Sequence, residues 1–573
     1  MSYFSVPRLH FSGSFRAAPS TMNNVDRNFT EPPVLQKLWN PNGTHDVQLL
    51  AGNEFTIPPG ANVTPCRVTG IVTAAGDFIT DPAGDSLIGQ LLISTNTPSN
   101  AKLVDLDPDQ QQVSQIWGLQ LSIGPAGEAL VADFLATNFQ QLFPSRAPGS
   151  FGIGFSAAYQ SQLANLQWPA SSTSHLLQAW QSAGAELLSI RFTLDQLDVP
   201  ARFIGDPNFT IGRISGTIGL ASPDEPQSIT VGRLLRPVQP FTIPIAPGVA
   251  KELLAGTPVA PADVNQNVNY APALVDPVRD VLTIDLGNAL PFNADATPAD
   301  AGTLQAVILT SQGAIPLGTV ANTLDNYLQR AFLFEFPLGG NSEAAASNPI
   351  AIMSNEDVVL SENSSGAWID AAQHVYRMDA GTTASAILYA TTFGATPADG
   401  QQVTLTTFAF PNTDNGNAWP APTIPLTTVP STVTLNAGIA TFQLSAGTPG
   451  NPRGSLDGLV YGVTFDWAED TNPVSGLFVN AHVFDALDAP AAPQWSDVEP
   501  IFQQFMTLYP AMQSILDLSD EATVQANAAL VARYLSFPES SSQYMPVTRD
   551  LSGPKKEMLL AYLAAQQPQG GAQ

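Results

Sequence analysis

Val433-Thr-Leu-Asn-Ala-Gly-Ile-Ala-Thr-Phe-Gln-Leu444 is the stretch that decides the fold class. Two runs rich in β-forming residues lie on either side of Asn436-Ala437-Gly438, a pattern that predicts a β-hairpin. Similar runs recur on both sides of this hairpin. Six strands in about 110 residues, without a Cys…Trp…Cys signature, predict an immunoglobulin-like sandwich as an architecture. The six runs span residues 386–390, 403–408, 433–435, 440–444, 460–465 and 477–481.

Most of the remaining chain has strand patterns, with helices at a few places. Residues 188–192, Leu-Ser-Ile-Arg-Phe, alternate between apolar and polar as a half-buried strand does. Apolar residues at helical spacing predict two inserted helices, over residues 155–168 and 174–180. Near the end, helix-forming residues over 520–535 and a helix-initiating Pro in 554–563 predict a helical module.

These patterns predict a mainly β, multi-domain protein. A Pro/Ala-rich linker precedes Ser496-Asp-Val-Glu499, which is typical of a helix capping box. The predicted parts are a β-rich region with inserted helices, of one or two subdomains (1–340), an immunoglobulin-like β-sandwich (341–485), a linker (486–496), a small helical domain (497–565) and a disordered tail (566–573).

The composition excludes several classes of protein. The 49 acidic and 21 basic residues give a net charge of −28, so binding to nucleic acid or to anionic lipid is not expected. No apolar run reaches the roughly 20 residues of a membrane-spanning helix, and no secretory signal pattern is present. The predicted location is therefore the cytoplasm. The single cysteine, Cys66, excludes a disulfide framework and a cysteine zinc site.

The motifs that could bind an ion are weak. Asp105-Leu-Asp107-Pro-Asp109 begins like a calcium loop, but Gln110 and Ile116 stand where an EF-hand has Gly and Glu. A turn that caps a following helix is the favoured interpretation, and a looser ion site stays open. None of the five histidines has a second ligand at metal spacing, so no metal site is predicted from local ligands.

Several short strings in the first 340 residues occur in a defined order. They span residues 7–16 (PRLHFSGSFR), 19–24 (PSTMNN), 103–109 (LVDLDPD), 114–118 (SQIWG), 212–219 (GRISGTIG), 232–237 (GRLLRP) and 285–291 (DLGNALP). This series resembles the iminophenylpyruvate dimer synthase and chromopyrrolate synthase family of violacein-type pathways. The resemblance implies a β-rich scaffold and the haem-dependent coupling of two imines derived from an aromatic 2-oxo acid. Members of that family are longer and carry a ferritin-like region with no counterpart in this sequence.

The resembling strings contain the candidate site residues. Strand alternation places Arg8 and His10 on one face. In an enzyme, Arg8 would bind a substrate carboxylate through both guanidinium arms, and His10 would act as general acid and base. Trp117 would stack on an aromatic ring. Asp105, Asp107 and Gln115 are the further candidate substrate-binding residues.

The helical module resembles a c-type cytochrome domain without its haem. Val498-Glu-Pro-Ile-Phe502 is similar to the first helix of such domains, and Met545-Pro546 to their axial Met-Pro. The positions of the CxxCH motif hold Met506, Tyr509 and Pro510, which cannot supply its thioether bonds or its histidine ligand. The resemblance implies a role in packing or interaction, and an unrelated three-helix appendage is the alternative.

Two functions follow. The favoured one is a non-catalytic β-rich binding or assembly protein of a secondary-metabolite pathway. Its partner would be a small aromatic molecule or another protein, a second copy of this chain included. The alternative is an oxidative or imine-coupling enzyme acting on an aromatic amino-acid-derived substrate. Haem is implied only if the family resemblance extends to chemistry, and no metal ion is predicted.

Overall fold

The computed structural model shows a mainly β chain with several sheets and a small C-terminal helical region, as the sequence predicts. No helix among the described residues is long and apolar enough to cross a membrane. The structure describes residues 2–567 except 20–44, 54–56, 58, 96–99, 108–112, 144–145, 147–153, 199–206, 209, 239–242, 245–264, 267, 294, 410–420, 427–428, 454–455, 472–473, 475–476, 510–512 and 514.

The first module is a closed antiparallel β-barrel. Eight strands pair in the order β1-β13-β12-β11-β10-β7-β6-β2, and β2 pairs back to β1. The long strands β1 and β11 continue past this ring, where β1 pairs with β3 and β11 with β9. The strands are Arg8–Pro19 (β1), His45–Leu49 (β2), Arg67–Val72 (β3), Phe78–Ile79 (β4), Leu92–Ser94 (β5), Ala101–Val104 (β6), Gln115–Trp117 (β7), Gln120–Ile123 (β8), Leu130–Phe134 (β9), Thr137–Leu142 (β10), Gly154–Gln167 (β11), Leu188–Asp198 (β12) and Ile211–Leu220 (β13).

Alternation along β1 separates an apolar face from a polar one. Leu9, Phe11 and Phe15 pack in the barrel core, whereas Arg8 and His10 point to the opposite face. Gly216 on β13 makes room for this core, because a Cβ atom there would lie 2.6 Å from the Phe11 ring.

One predicted helix is wrong and the other is confirmed. Residues 154–167 form the strand β11 instead of a helix. Tyr159 and Leu163 are four residues apart, and this spacing places two side chains on one face of a strand as well as of a helix. Pairing with β10 and β12 decides between the two structures. The second predicted helix is present as α1, His175–Ser182, capped by the Ser174 side chain. No helix follows the Asp105–Asp107 segment in the described residues; the next element is β7.

The second module is an eight-stranded sheet with two short helices. Its strands pair in the order β20-β19-β22-β23-β14-β17-β18-β21, and β22 and β23 extend the sheet to residue 361, past the predicted boundary at 340. Strands β15 and β16 form a separate two-stranded sheet. The elements are Arg233–Pro237 (β14), Ile243–Pro244 (β15), Asn265–Gln266 (β16), Ala271–Asp276 (β17), Val281–Asp285 (β18), Leu304–Thr310 (β19), Gly313–Val320 (β20), Leu324–Arg330 (α2), Leu333–Pro337 (β21), Ser342–Ala345 (α3), Ile350–Ser354 (β22) and Asp357–Ser361 (β23).

The third module is the predicted sandwich. Strands β24-β26-β29 face strands β25-β31-β30-β27-β28 across one core, and β25 runs parallel to the last strand, β31. This order matches strands A, B and E against A′, G, F, C and C′ of an immunoglobulin-like fold. The predicted hairpin at residues 436–438 is wrong, because the strands on its two sides, β28 and β29, lie in opposite sheets and only the Asn436–Ile439 bridge links them. The bounds are Ala367–Ala371 (β24), Val375–Met378 (β25), Thr383–Thr392 (β26), Gln402–Ala409 (β27), Thr432–Thr434 (β28), Ile439–Ser445 (β29), Leu459–Trp467 (β30) and Val479–Val483 (β31).

The last module is helical. Its first helix begins at Trp495, so the capping box is formed by Gln494 and Asp497 rather than by the predicted residues 496–499. The predicted helix over 520–535 is interrupted at Asn527. The predicted disordered tail lies almost wholly outside the described residues. The helices are Trp495–Leu508 (α4), Glu521–Ala526 (α5), Ala528–Leu535 (α6) and Gly553–Gln566 (α7).

Candidate functional site

Arg8 and His10 lie together in the barrel wall, where the second module covers them. The Arg8 guanidinium contacts the Glu335 carboxylate at 3.0 Å, so a protein side chain takes the place predicted for a substrate carboxylate. The His10 Nδ1 atom lies 2.9 Å from the Thr217 hydroxyl, and the ring is 1% exposed. Burial, and then the charges of Arg8 and Arg330, hold the pKa of His10 well below its usual value. This pair therefore joins two modules and offers no access to a ligand.

The other predicted residues lie where the barrel meets the sandwich. The Asp107 carboxylate accepts two hydrogen bonds from Arg453, at 3.0 and 2.5 Å. Gln115 accepts a hydrogen bond from Arg377, whose guanidinium also donates to the Asp105 backbone carbonyl at 3.3 Å. The Asp105 carboxylate itself accepts a hydrogen bond from the Ser114 hydroxyl.

Trp117 connects this contact to the helical module. The Arg549 guanidinium lies 5.3 Å from the centre of the Trp117 ring, and that of Arg377 lies 5.7 Å from it. Such cation–π contacts fill the place predicted for an aromatic substrate. The structure thus separates the predicted site residues into two groups, Arg8 with His10 and residues 105–117, each with partners in other modules.

Burial shifts the pKa values of three charged residues around Trp117 and its neighbours. Desolvation raises the pKa of Asp550 to about 6 and lowers the pKa values of Arg377 and Arg549 to about 10. Apolar residues join the modules at the same place, since Val104 of the barrel and Leu456 of the sandwich pack in the apolar core of the helical module. The three modules are therefore joined by one continuous packed region.

A separate cleft opens where the barrel, the second module and the sandwich meet. Its volume is about 510 Å³, within the range of about 300–1,000 Å³ that is usual for small-molecule sites. Asn138 and Phe139 of β10 line one wall, Tyr270 the second, and His374 and Phe478 the third. No single module forms this cleft, and sites between modules are a common location for ligands.

His374, in the sandwich wall of the cleft, forms a buried pair with Asp370. The His374 Nε2 atom lies 2.6 Å from an Asp370 carboxylate oxygen, so Nε2 carries the proton and donates it. Asn480 is next to this pair, because its side-chain amide donates to the His374 carbonyl at 3.2 Å. The outer edge of the cleft includes Arg236, but its charge is neutralised by two hydrogen bonds to Asp470, at 2.5 and 2.8 Å.

The residues implied by a haem resemblance do not fit that group. Tyr509 is buried in the helical module and its hydroxyl contacts Thr548 at 3.2 Å, so packed side chains fill this position. Met545, at the predicted axial position, is 37% exposed at the surface. Pro510 lies outside the described residues. Among the residues that the structure does describe, no cluster of three or more His, Cys, Asp or Glu side chains could hold a metal ion.

Sequence reasoning missed the cleft residues because they come from three modules. His374 has an acidic residue four positions earlier, Asp370, and this spacing is a weak local signal. Asn480 is more than 100 residues away along the chain and reaches His374 only because β31 pairs with β25. No local pattern identifies Asn138 or Tyr270 as neighbours of this pair.

Comparisons with known proteins assign no family. No protein-family model matches the chain, and no curated protein matches it. Domains 4 and 5 of the S-layer protein SbsC align with 35% of this chain and 90% of their own at 13% identity, with a TM-score of 0.11. Trypsin-activated alpha-2-macroglobulin from Escherichia coli aligns with 84% of this chain and 37% of its own at 9% identity, with a TM-score of 0.15. Scores this low support no conclusion about fold or function.

Proposed function

We propose that this chain is a non-catalytic binding protein whose cleft between three modules takes a small aromatic molecule. The observation that carries the proposal is the cleft itself, about 510 Å³ in volume and lined by Phe139, Tyr270 and Phe478 beside a few buried polar groups. Aromatic walls with a small number of placed polar atoms are typical of sites for small molecules.

The lining of the cleft favours binding over covalent catalysis. The described lining residues include no serine, threonine or cysteine that could act as a nucleophile beside His374. The phenol of Tyr270 donates to the Gln140 carbonyl at 2.9 Å, and burial raises its pKa far above neutral pH. Cys66 is buried in the barrel core, away from the cleft.

The family resemblance gives the proposal its biological setting. The ordered strings of the first 340 residues support a protein of a secondary-metabolite pathway, and an aromatic amino-acid-derived compound is the ligand class that such a pathway handles. Binding at a junction of modules would also let the ligand stabilise the arrangement of the modules, since a ligand that binds only the folded state stabilises that state.

A ligand panel with a blocked cleft tests the proposal. Indole, phenol, phenylpyruvate, tryptamine and 2-phenylethylamine are titrated into the protein by calorimetry. At least one is expected to bind, and Val474→Trp, which fills the cleft from its sandwich wall, is expected to abolish that binding. Val278→Trp is the matched control, because Val278 is 93% exposed and outside the cleft. Absence of binding across the panel, or undiminished binding to Val474→Trp, would refute the proposal.

The Asp370–His374 pair favours a second candidate function. The Asp370 carboxylate lies 2.6 Å from the His374 Nε2 atom, and a carboxylate that orients a histidine in this way is common beside a histidine general base. An enzyme acting on an aromatic amino-acid-derived compound could use it for proton abstraction. Mass spectrometry of bound panel members after incubation distinguishes the candidates, since an enzyme alters its ligand and loses that activity in His374→Phe.

A further inference from the structure

We infer that a second copy of this chain docks on the free edge of strand β29, so that two sandwiches share one continuous antiparallel sheet. The inference goes beyond the proposed function and does not depend on it, because this edge lies outside the ligand cleft. Strand β29, Ile439–Ser445, pairs with β26 on one side, and no described strand pairs with its other side. An unpaired strand edge presents a row of backbone donors and acceptors that a further strand can use.

The hydrogen-bond pattern of β29 identifies the backbone groups at this edge. The Ala390 N–H donates to the Gly438 carbonyl at 2.8 Å, so Gly438 and every second residue after it point their backbone groups towards β26. Ile439 points the opposite way, because its N–H and its carbonyl both bond to the turn residue three positions earlier, at 3.0 and 2.9 Å. The N–H and C=O groups of Thr441 and Gln443 therefore point outward, and none of the described residues bonds to them.

Strand β29 lacks the features that keep strand edges from pairing with other chains. Natural edges are usually short or covered, or they contain a proline, a charge or a bulge. The seven residues of β29 contain no proline and no charge, and their pairing with β26 has no bulge. By contrast, β20 contains Pro316 beside a register shift, β21 carries Glu335, β24 is buried throughout, and β28 has only three residues. Among the edges of the described strands, that of β29 is therefore the best suited to pairing.

Charge and symmetry favour a second copy as the occupant of this edge. The exposed side chains of β29 and of the neighbouring β26 carry no charge; they are Thr383, Ser385, Ile439, Thr441 and Gln443. Two copies of a chain with a net charge of −28 repel each other, so an uncharged surface is where they can approach most closely. Two identical antiparallel strands are related by a two-fold axis. Thr441 of each copy can therefore lie opposite Gln443 of the other, and the outward backbone groups of both residues find partners.

Sedimentation velocity of the full chain over a range of concentrations tests the inference. Wild type is expected to dimerise with a dissociation constant of about 10–100 µM, since the interface is small. Gln443→Pro removes an outward N–H and keeps the bonds between β26 and β29, so the dissociation constant should rise at least about tenfold. Gln443→Lys adds a charge at the edge and should act in the same direction. Ser385→Lys is the matched control, because Ser385 lies opposite Gln443 on the inner strand, and its dissociation constant should stay within about twofold of wild type.

Hydrogen exchange at single amides locates the contact between the copies. The Thr441 and Gln443 amides should become at least about tenfold more protected as the protein concentration rises through the dissociation constant. The Phe442 amide, which points towards β26 in both states, should not change. A chain that stays monomeric at about 200 µM would overturn the inference and leave the edge to a strand of a different protein. A dimer that Gln443→Lys leaves intact, or one that Ser385→Lys dissociates as strongly, would overturn it as well. If Gln443→Pro fails to fold, Gln443→Lys decides.

Discussion

Asp550 gives a stability prediction whose size follows from its surroundings. It is buried between the helical module and its neighbours, and its carboxylate accepts hydrogen bonds from the Thr548 hydroxyl and, at 3.5 Å, from Gln504. Desolvation raises its pKa from 3.8 to about 6. Folding therefore favours the protonated carboxyl group over the ionised one, relative to the unfolded chain. Asp550→Asn keeps the shape and the acceptor but cannot ionise, so it is expected to stabilise the module at neutral pH.

The magnitude follows from linkage. A rise from 3.8 to about 6 corresponds to about 3 kcal/mol, at about 1.36 kcal/mol for each pH unit. For an acid with a raised pKa, the stabilisation is fully present below pH 3.8 and is lost as the pH rises through about 6. The wild-type module should lose about 1.4 kcal/mol between pH 5 and pH 8 from this group. The asparagine variant should not show this loss.

Hydrogen exchange reports this change within the helical module. The free energy of opening of α4 and α7 amides, corrected for intrinsic rates, is measured at pH 5 and pH 8 for wild type, Asp550→Asn and a control, Glu499→Gln, on the exposed face of α4. The variant should exceed wild type by up to about 3 kcal/mol at pH 8, and the control by less than about 0.5 kcal/mol. A variant that is less protected at pH 8, or one that keeps the wild-type pH dependence, would show that Asp550 does not cause this pH dependence.

Two further substitutions test how the modules are joined. Gly118→Ala should loosen the helical module by about 1–3 kcal/mol, because Gly118 has φ +68° and a Cβ atom would lie 2.6 Å from the Ser542 backbone. Gly127→Ala, at φ +85° with no neighbour within 4 Å, is the control in the same exchange experiment, and an equal loss would contradict the packing argument. Asp107→Asn should cost about 3–5 kcal/mol in chemical denaturation, because it removes the negative charge to which the buried Arg453 guanidinium is bonded. Adding Arg453→Met should recover part of that loss. If Asp107→Asn alone is as stable as wild type, the Asp107–Arg453 pair does not stabilise the junction.

Local patterns located the strands around residues 436–438 but not their partners. The predicted hairpin does not form, because β28 pairs with β27 and β29 pairs with β26, in opposite sheets of the sandwich. A single bridge between Asn436 and Ile439 closes the turn. The strand Gly154–Gln167 was predicted as a helix, because spacing by four residues fits both periods and only its two neighbouring strands decide.

The candidate site was harder to predict for a physical reason. Alternation placed Arg8 and His10 on one face correctly, but it could not reveal that Glu335 and Thr217 already occupy their polar atoms. The junction cleft depends on how three modules pack, and no sequence period encodes that packing. Among the described neighbours of His374, Asp370 is the one that a local spacing could have suggested.

A crystal structure of the protein grown with a saturating concentration of the panel compound that binds most tightly shows where the ligand lies. Binding in the cleft predicts difference density for one ring between Phe139 and Phe478. Density for water alone in the cleft, or a ring bound elsewhere on the chain while calorimetry reports binding, would show that the cleft is not the binding site.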